Sequence, residues 1–161
     1  RHAHDKTLPR FQGWWGHDKQ SRFQMGPDFE PIPGAEGWQL SNPPIFQMAA
    51  LRASMELFDR ATMPALRRKS ERLTGYLEFL LDRLPPGFVR SITPRDPQQR
   101  GAHLSLRFTK EPRQLLEKLT AQGVLCDFRS PDIIRAAPAP LYVSFHDVYR
   151  FAGVLERHAR D

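Results

Sequence analysis

Leu104-Ser105-Leu106-Arg107-Phe108 places a large apolar side chain on every second residue, with Ser105 and Arg107 between. That alternation is the period of a strand with one face buried and one face wet. Upstream, Phe88 to Ile92 reads as a second strand, joined through a Pro-rich turn from Thr93 to Gly101. Downstream, a helix is predicted from about Glu111, with Pro112 in its first turn and Leu115, Leu116 and Leu119 on one face. Gly123 stops it. Val124 to Phe128 and Ile133 to Ala136 read as two further strands. The last helix begins near Ser144, where Ser144-Phe145-His146-Asp147 has the form of a capping box. Its buried side is expected from Val148, Phe151, Val154 and Leu155. The order strand-strand-helix-strand-strand-helix predicts an α+β layer arrangement, a small sheet with helices on one face.

Two long helices precede this part. Phe46, Ala50, Ala53 and Leu57 follow one face of the first, and Met48, Leu51, Met55 and Phe58 follow its neighbour. So broad an apolar stripe predicts a well-buried helix, with Pro44 in its first turn. Pro64 opens the second, with Leu66, Leu73, Leu77, Leu80 and Leu84 at helical spacing until Pro85-Pro86-Gly87. Gly75 within it is expected to permit a close helix approach. The region before Pro44 is rich in Gly, Pro and Trp without a sustained period, and Trp14, Trp15 and Trp38 all lie there. Three zones follow: an irregular segment 1–43, long connecting helices 44–84, and a small α+β domain 85–161.

Composition excludes several classes. Hydrophobic residues make up 40% and charged residues 26% of the 161, as in a globular protein with a core. No apolar run is long enough to span a bilayer. The polar opening Arg1-His2-Ala3-His4-Asp5-Lys6 has no signal-peptide core, and with no starting Met the chain is expected to begin inside a longer gene product or after processing. The single cysteine, Cys126, forms no internal disulfide and no multi-cysteine metal framework. In a strand-like run it reads as a small buried apolar residue. These features point to the cytoplasm. The net charge of +6 invites a nucleic-acid module, but the basic residues are scattered. The one dense cluster, Arg67-Arg68-Lys69, shares its helix with Glu71, Glu78 and Asp82, as on a solvated face.

Three segments carry chemistry. Gly13-Trp14-Trp15-Gly16-His17 offers two indole N–H donors on a backbone that can approach a ligand; the same tryptophans could equally pack on a core. Ser41-Asn42-Pro43-Pro44-Ile45 stands at a helix entrance, suited either to holding an anion or to plain capping. In Ile133-Ile134-Arg135-Ala136 an arginine in an apolar strand requires a carboxylate, from the protein or from a substrate. The histidines form no metal motif, and neither a metal site nor a complete catalytic set can be read.

These segments in this order, with Arg22-Phe23-Gln24-Met25, Ile32-Pro33-Gly34, Leu73-Thr74-Gly75-Tyr76-Leu77-Glu78, Gly123-Val124-Leu125-Cys126-Asp127 and Pro140-Leu141-Tyr142-Val143-Ser144-Phe145-His146-Asp147-Val148, resemble kynureninase, a fold-type-I pyridoxal-phosphate enzyme. The resemblance runs along nearly the whole chain. It implies the small C-terminal domain of that fold, with a mainly antiparallel sheet. It further implies pyridoxal 5'-phosphate as cofactor and a homodimer with its active site at the interface. The implied reaction is hydrolysis of L-kynurenine or 3-hydroxykynurenine to anthranilate or its hydroxy form plus L-alanine, in tryptophan catabolism and NAD biosynthesis. By resemblance Trp14 and Asn42 contact the cofactor phosphate and Arg135 binds the substrate α-carboxylate, while Ser41, His17 and Trp15 line its aromatic end. The family's cofactor-anchoring lysine, the tyrosine beside it and the carboxylate facing the pyridine nitrogen are expected before Arg1, so no catalytic residue is assigned here and the piece by itself is expected to be inactive. A relative with another substrate, such as a cysteine desulfurase, is the alternative; Cys126 in a strand rather than on a mobile glycine-rich loop argues against it.

Overall fold

The alternation at Leu104–Phe108 forms β2, the second strand of a four-stranded sheet. It pairs antiparallel with β1 (Val89–Ser91) on one side and with β4 (Ile133–Ala136) on the other. β3 (Asp127–Arg129) lies beyond β4 at the edge, also antiparallel. These elements belong to a computed structural model that describes residues 8–160. The readings of Arg1 to Lys6, His2 and His4 among them, lie outside that range.

The pleat sorts the sheet into two faces. Leu104, Leu106, Phe108, Ile134 and Ala136 are buried on one, under α2 (Met63–Leu81), α3 (Pro112–Ala121) and α4 (Phe145–Arg160). Leu73 and Leu77 of α2, Leu115 and Leu119 of α3, and Val148, Phe151 and Leu155 of α4 complete this core. Burying each such side chain contributes about 1.5–3 kcal/mol, against about 0–1 kcal/mol for a surface ion pair. The core therefore fixes the register. The other face follows from the same pairing: Arg90 stands opposite Arg107, and Ser105, Arg135 and Asp127 form one row. The capping box forms as expected. The Ser144 backbone N–H donates to Asp147 Oδ2 at 2.8 Å, and the Asp147 N–H donates to Ser144 Oγ at 3.2 Å.

Several expectations are corrected. β3 runs from Asp127 to Arg129, not Val124 to Phe128. β4 ends at Ala136 before Ala137-Pro138, so Val124 and Leu125 have no ladder partner. Gly75 permits no close approach, since nothing lies within 4 Å of where its Cβ would stand. Pro44 precedes α1 (Ile45–Ala61), its carbonyl accepting from the Met48 N–H at 2.9 Å. The largest correction concerns α1 itself, which buries no residue. Phe46 is 88% exposed and Met55 56%. The apolar stripe is present, but none of the described residues covers it.

The chain divides into two compact units within α1, Arg1–Glu56 and Leu57–Asp161. Among the described residues no helix is long and apolar enough to cross a membrane. The basic cluster of α2 is partly engaged, with Arg67 Nε 3.0 Å from Glu71 and Arg67 Nη1 donating to the Arg100 carbonyl at 3.1 Å.

Candidate functional site

In the first unit the irregular segment is held by backbone packing that only glycine permits. A 3-10 turn spans Trp14–Gly16, and a second spans Gly34–Trp38. A Cβ on Gly13 would stand 2.2 Å from Leu40 Cα, and one on Gly16 would stand 2.7 Å from the Gly37 carbonyl oxygen. The two glycines thus lay the tryptophan turn directly on the strand of chain that leads into Ser41-Asn42. The Ile32 N–H donates to the Gly16 carbonyl at 2.8 Å, and His17 bridges to Pro31.

This packing brings two candidate residues together. The Trp15 indole N–H donates to the side-chain carbonyl of Asn42. Holding the carbonyl oxygen on Trp15 fixes the orientation of the Asn42 amide and leaves both N–H donors of its NH2 group to offer. Trp14 stacks edge-on against Phe23 at 5.2 Å and remains 43% exposed. His17 is half-buried, with Nε2 3.2 Å from Ser21 Oγ and its ring 5.6 Å from Phe29. Ser41 is exposed. Neither Trp14 nor Trp15 occupies a core position among the described residues. Both are partly exposed, and both stand over a buried arginine.

That arginine, Arg22, received no role from its sequence. It is 9% exposed and donates from Nη2 to the His17 carbonyl at 2.9 Å and to the Trp15 carbonyl at 3.3 Å. Its guanidinium lies 5.8 Å from the Trp14 ring and 5.3 Å from the Trp15 ring. Arg22 therefore holds the turn by its carbonyls and supports both indoles by cation–π attraction. The arginine within Arg22-Phe23-Gln24-Met25 was the available signal, but nothing local in the sequence tells a buried strut from a solvated charge.

The second unit carries Arg135, on the face of the sheet opposite the core. Its carboxylate partner within the chain is Asp127, directly across from it on β3. Nε and Nη2 of Arg135 both meet Asp127 Oδ2, which also accepts from Arg129 Nε at 2.9 Å. Desolvation pushes the Asp127 carboxyl up, but the hydrogen bond from Arg135 and the charges of Arg129 and Arg135 outweigh it, and the pKa falls below the ordinary value. Arg135 remains about one-third exposed.

Cys126 lines an apolar pocket with Leu77, Ala136, Val148 and Phe151. Burial pushes its thiol up to about 11, far from the thiolate a nucleophile requires. Among the described residues no group of three or more His, Cys, Asp or Glu is placed to hold a metal ion.

Comparison with known proteins places this geometry in a lineage. The family model for the kynureninase C-terminal domain matches residues 66–155. The chain is 76% identical to the kynureninase of Myxococcus xanthus (strain DK1622) over 161 residues, covering 100% of this chain and 38% of that protein. It is 58% identical to the kynureninase of Koribacter versatilis (strain Ellin345) over 151 residues, covering 94% and 36%. The chain thus spans a little over a third of the curated relatives it matches. Among solved structures, the apo cysteine desulfurase of Thermococcus onnurineus NA1 superposes with a TM-score of 0.73 at 18% identity, covering 94% of this chain and 39% of that one. The cystine C-S lyase C-DES, in complex with its product cysteine persulfide, gives 0.69 at 21%, covering 93% and 38%. At such identities the likeness shows the fold alone, the C-terminal α+β part of a fold-type-I enzyme, as the sequence led us to expect. The match over residues 66–155, more than half of the chain, decides the assignment: the chain belongs to the kynureninase C-terminal domain family.

Proposed function

We propose that the full-length protein is a pyridoxal-phosphate-dependent hydrolase. It cleaves the side chain of L-kynurenine, or 3-hydroxykynurenine, to anthranilate or its hydroxy form plus L-alanine, within tryptophan catabolism and NAD biosynthesis. It works as a cytoplasmic homodimer with the active site at the interface. The observation that carries this reading is the 76% identity to a kynureninase along the entire chain.

The residues present suit the cofactor and substrate by their donor chemistry. A phosphate needs N–H donors held in place. Trp14 presents an exposed indole, and Asn42, its carbonyl held by Trp15, has both amide N–H donors to give. Trp14 and Asn42 would hold the phosphate, and Arg135 would take the substrate α-carboxylate in two parallel hydrogen bonds. Ser41, His17 and Trp15 would line the aromatic end of the substrate. The bound cofactor supplies an electron sink, while these residues bind, orient and exclude water around the reacting groups. In this arrangement segment 1–43 contributes the phosphate and aromatic contacts, 44–84 connects, and 85–161 brings the carboxylate anchor.

The test is anthranilate release from L-kynurenine by the full-length protein with pyridoxal phosphate, followed by fluorescence. Turnover that disappears in Arg135→Ala supports the reading. Absence of anthranilate, with release of persulfide sulfur from cysteine instead, would overturn it in favour of desulfurase chemistry. The raised pKa of Cys126 stands against that outcome.

A further inference from the structure

We propose that Asp127 is a positioning residue that fixes which edge of Arg135 a substrate carboxylate meets. The inference deepens the functional reading above and rests on it for the role of Arg135. A guanidinium has five N–H donors in a planar fork. Asp127 Oδ2 takes the Nε side together with Nη2. What is left is the outer edge, formed by Nη1 and the second hydrogen of Nη2, and among the described residues it meets no other partner. That edge matches the spacing of a second carboxylate.

The ladder makes the arrangement permanent. Asp127 and Arg135 are direct cross-strand partners, so their side chains leave the same face a short distance apart. The neighbours explain why a fixed counter-charge is needed there. Arg129 is on the same strand as Asp127 and shares its Oδ2, and Arg107 lies on the same face beside Ile133. Arg107 is itself held by Asp132, 3.3 Å away. Without Asp127, Arg129 and Arg135 would repel each other, and Arg135 would be a long, partly exposed side chain free among its rotamers. Ordering such a chain at the moment of binding costs affinity. Asp127 also repels an incoming carboxylate. That opposing effect acts through solvent between exposed groups and is screened by salt, so the ordering effect dominates.

The experiment uses the full-length holoenzyme with Asp127→Ala, Asp127→Asn and Arg135→Ala. Two readouts are taken: the KM and kcat for L-kynurenine, and calorimetric binding of L-alanine against L-alaninamide, which lacks the carboxylate. Asp127→Ala is expected to raise KM about tenfold with kcat within about twofold. It should also lower the preference for L-alanine over its amide by a similar factor. Asp127→Asn keeps one acceptor oxygen, folds in the same shape, and should fall between Asp127→Ala and the parent. Tighter L-alanine binding in Asp127→Ala would mean that repulsion dominates and would overturn the proposal. So would weakening of L-alanine and L-alaninamide alike, the mark of general damage. If Arg135→Ala removes the preference while both Asp127 variants keep it, the positioning role fails and the reading of Arg135 stands. If Arg135→Ala keeps the preference, the reading of Arg135 fails first.

Discussion

Replacing Gly13 with Ala should damage the first unit, while the same change at Gly26 should not. At Gly13 the added Cβ would stand 2.2 Å from Leu40 Cα and 2.4 Å from the Leu40 carbonyl oxygen. Ordinary carbon contacts lie at about 3.5–4.0 Å, so the two backbones must separate by roughly 1.5 Å. No side chain can rotate away, because the obstructing atoms are main chain. Overpacking of this kind costs about 1–3 kcal/mol. The separation acts on the interval between Trp15 and Asn42, whose hydrogen bond joins the two backbones two residues beyond the clash on each side. A hydrogen bond does not survive a displacement of roughly 1.5 Å. If the whole cost reaches the phosphate site, cofactor affinity in the full-length protein falls by about fivefold to about 150-fold. Gly26 is the control, since nothing lies within 4 Å of its Cβ position. Gly26→Ala should leave affinity unchanged and stability equal or slightly higher, by restricting the unfolded chain. The assay is fluorescence titration of apo-protein with pyridoxal phosphate, beside thermal melts. Parent-like affinity in Gly13→Ala, or equal losses in both variants, would refute the argument that glycine is there for backbone contact.

Three further outcomes are expected. Glu78→Ala should lower stability by about 3–5 kcal/mol in urea unfolding, because it strands the buried guanidinium of Arg100. That side chain is 3% exposed and meets both Glu78 oxygens, at 2.5 and 2.7 Å; replacing both residues with Leu should recover most of the loss. Cys126 should resist thiol reagents at neutral pH. Its thiol lies at about 11 rather than 9.0, so its thiolate fraction is about 100-fold smaller than that of an ordinary cysteine. Fast labelling under native conditions would refute its burial. Asp147 has its pKa lowered by the Ser144 hydroxyl and backbone hydrogen bonds. Its contribution to stability is therefore full above its unfolded value, near 3.8, and is lost as pH falls through the lower folded value. Asp147→Asn should flatten the fall of Tm across that acid range, and an unchanged acid profile would count against the capping box.

The second unit was legible because its pattern and its packing agree. The period-two alternation of Leu104, Leu106 and Phe108 and the capping box at Ser144 each name a local geometry that burial then rewards. The failures have physical sources as well. Periodicity marks the apolar face of α1 but does not say which molecule covers a stripe; here every residue of that face is exposed. The start of β3 depended on where the partner strand stops, a non-local fact fixed by Ala137-Pro138. A glycine inside a helix suggests close packing, but the surroundings of Gly75 are empty. At the candidate site, the need of Arg135 for a carboxylate was legible from its apolar strand. The identity of that carboxylate was not, because the pair is made by register across two strands. Arg22 stayed hidden for the same reason, its partners being main-chain carbonyls brought in by a turn.

Asn42 and Arg135 share one arrangement although they stand in different units. Each is a donor-bearing side chain with part of its bonding capacity taken by a fixed partner inside the chain. Trp15 holds the side-chain carbonyl of Asn42, and Asp127 occupies one side of the Arg135 fork. In both, N–H donors are left over, and their direction is set before any ligand arrives. An anion binding to such groups loses less to side-chain ordering than one that must recruit mobile lysines. This accounts for where the chain invests close packing outside its core. Gly13 and Gly16 lie against the 37–40 backbone to fix the Trp15–Asn42 bond, and a two-strand register fixes Asp127 against Arg135. It also separates the two kinds of basic residue in a chain of net charge +6. Scattered surface arginines such as Arg52 and Arg160 only pair along their own helices. Arg135 instead stands on a sheet face, with a cross-strand carboxylate taking one side of its fork.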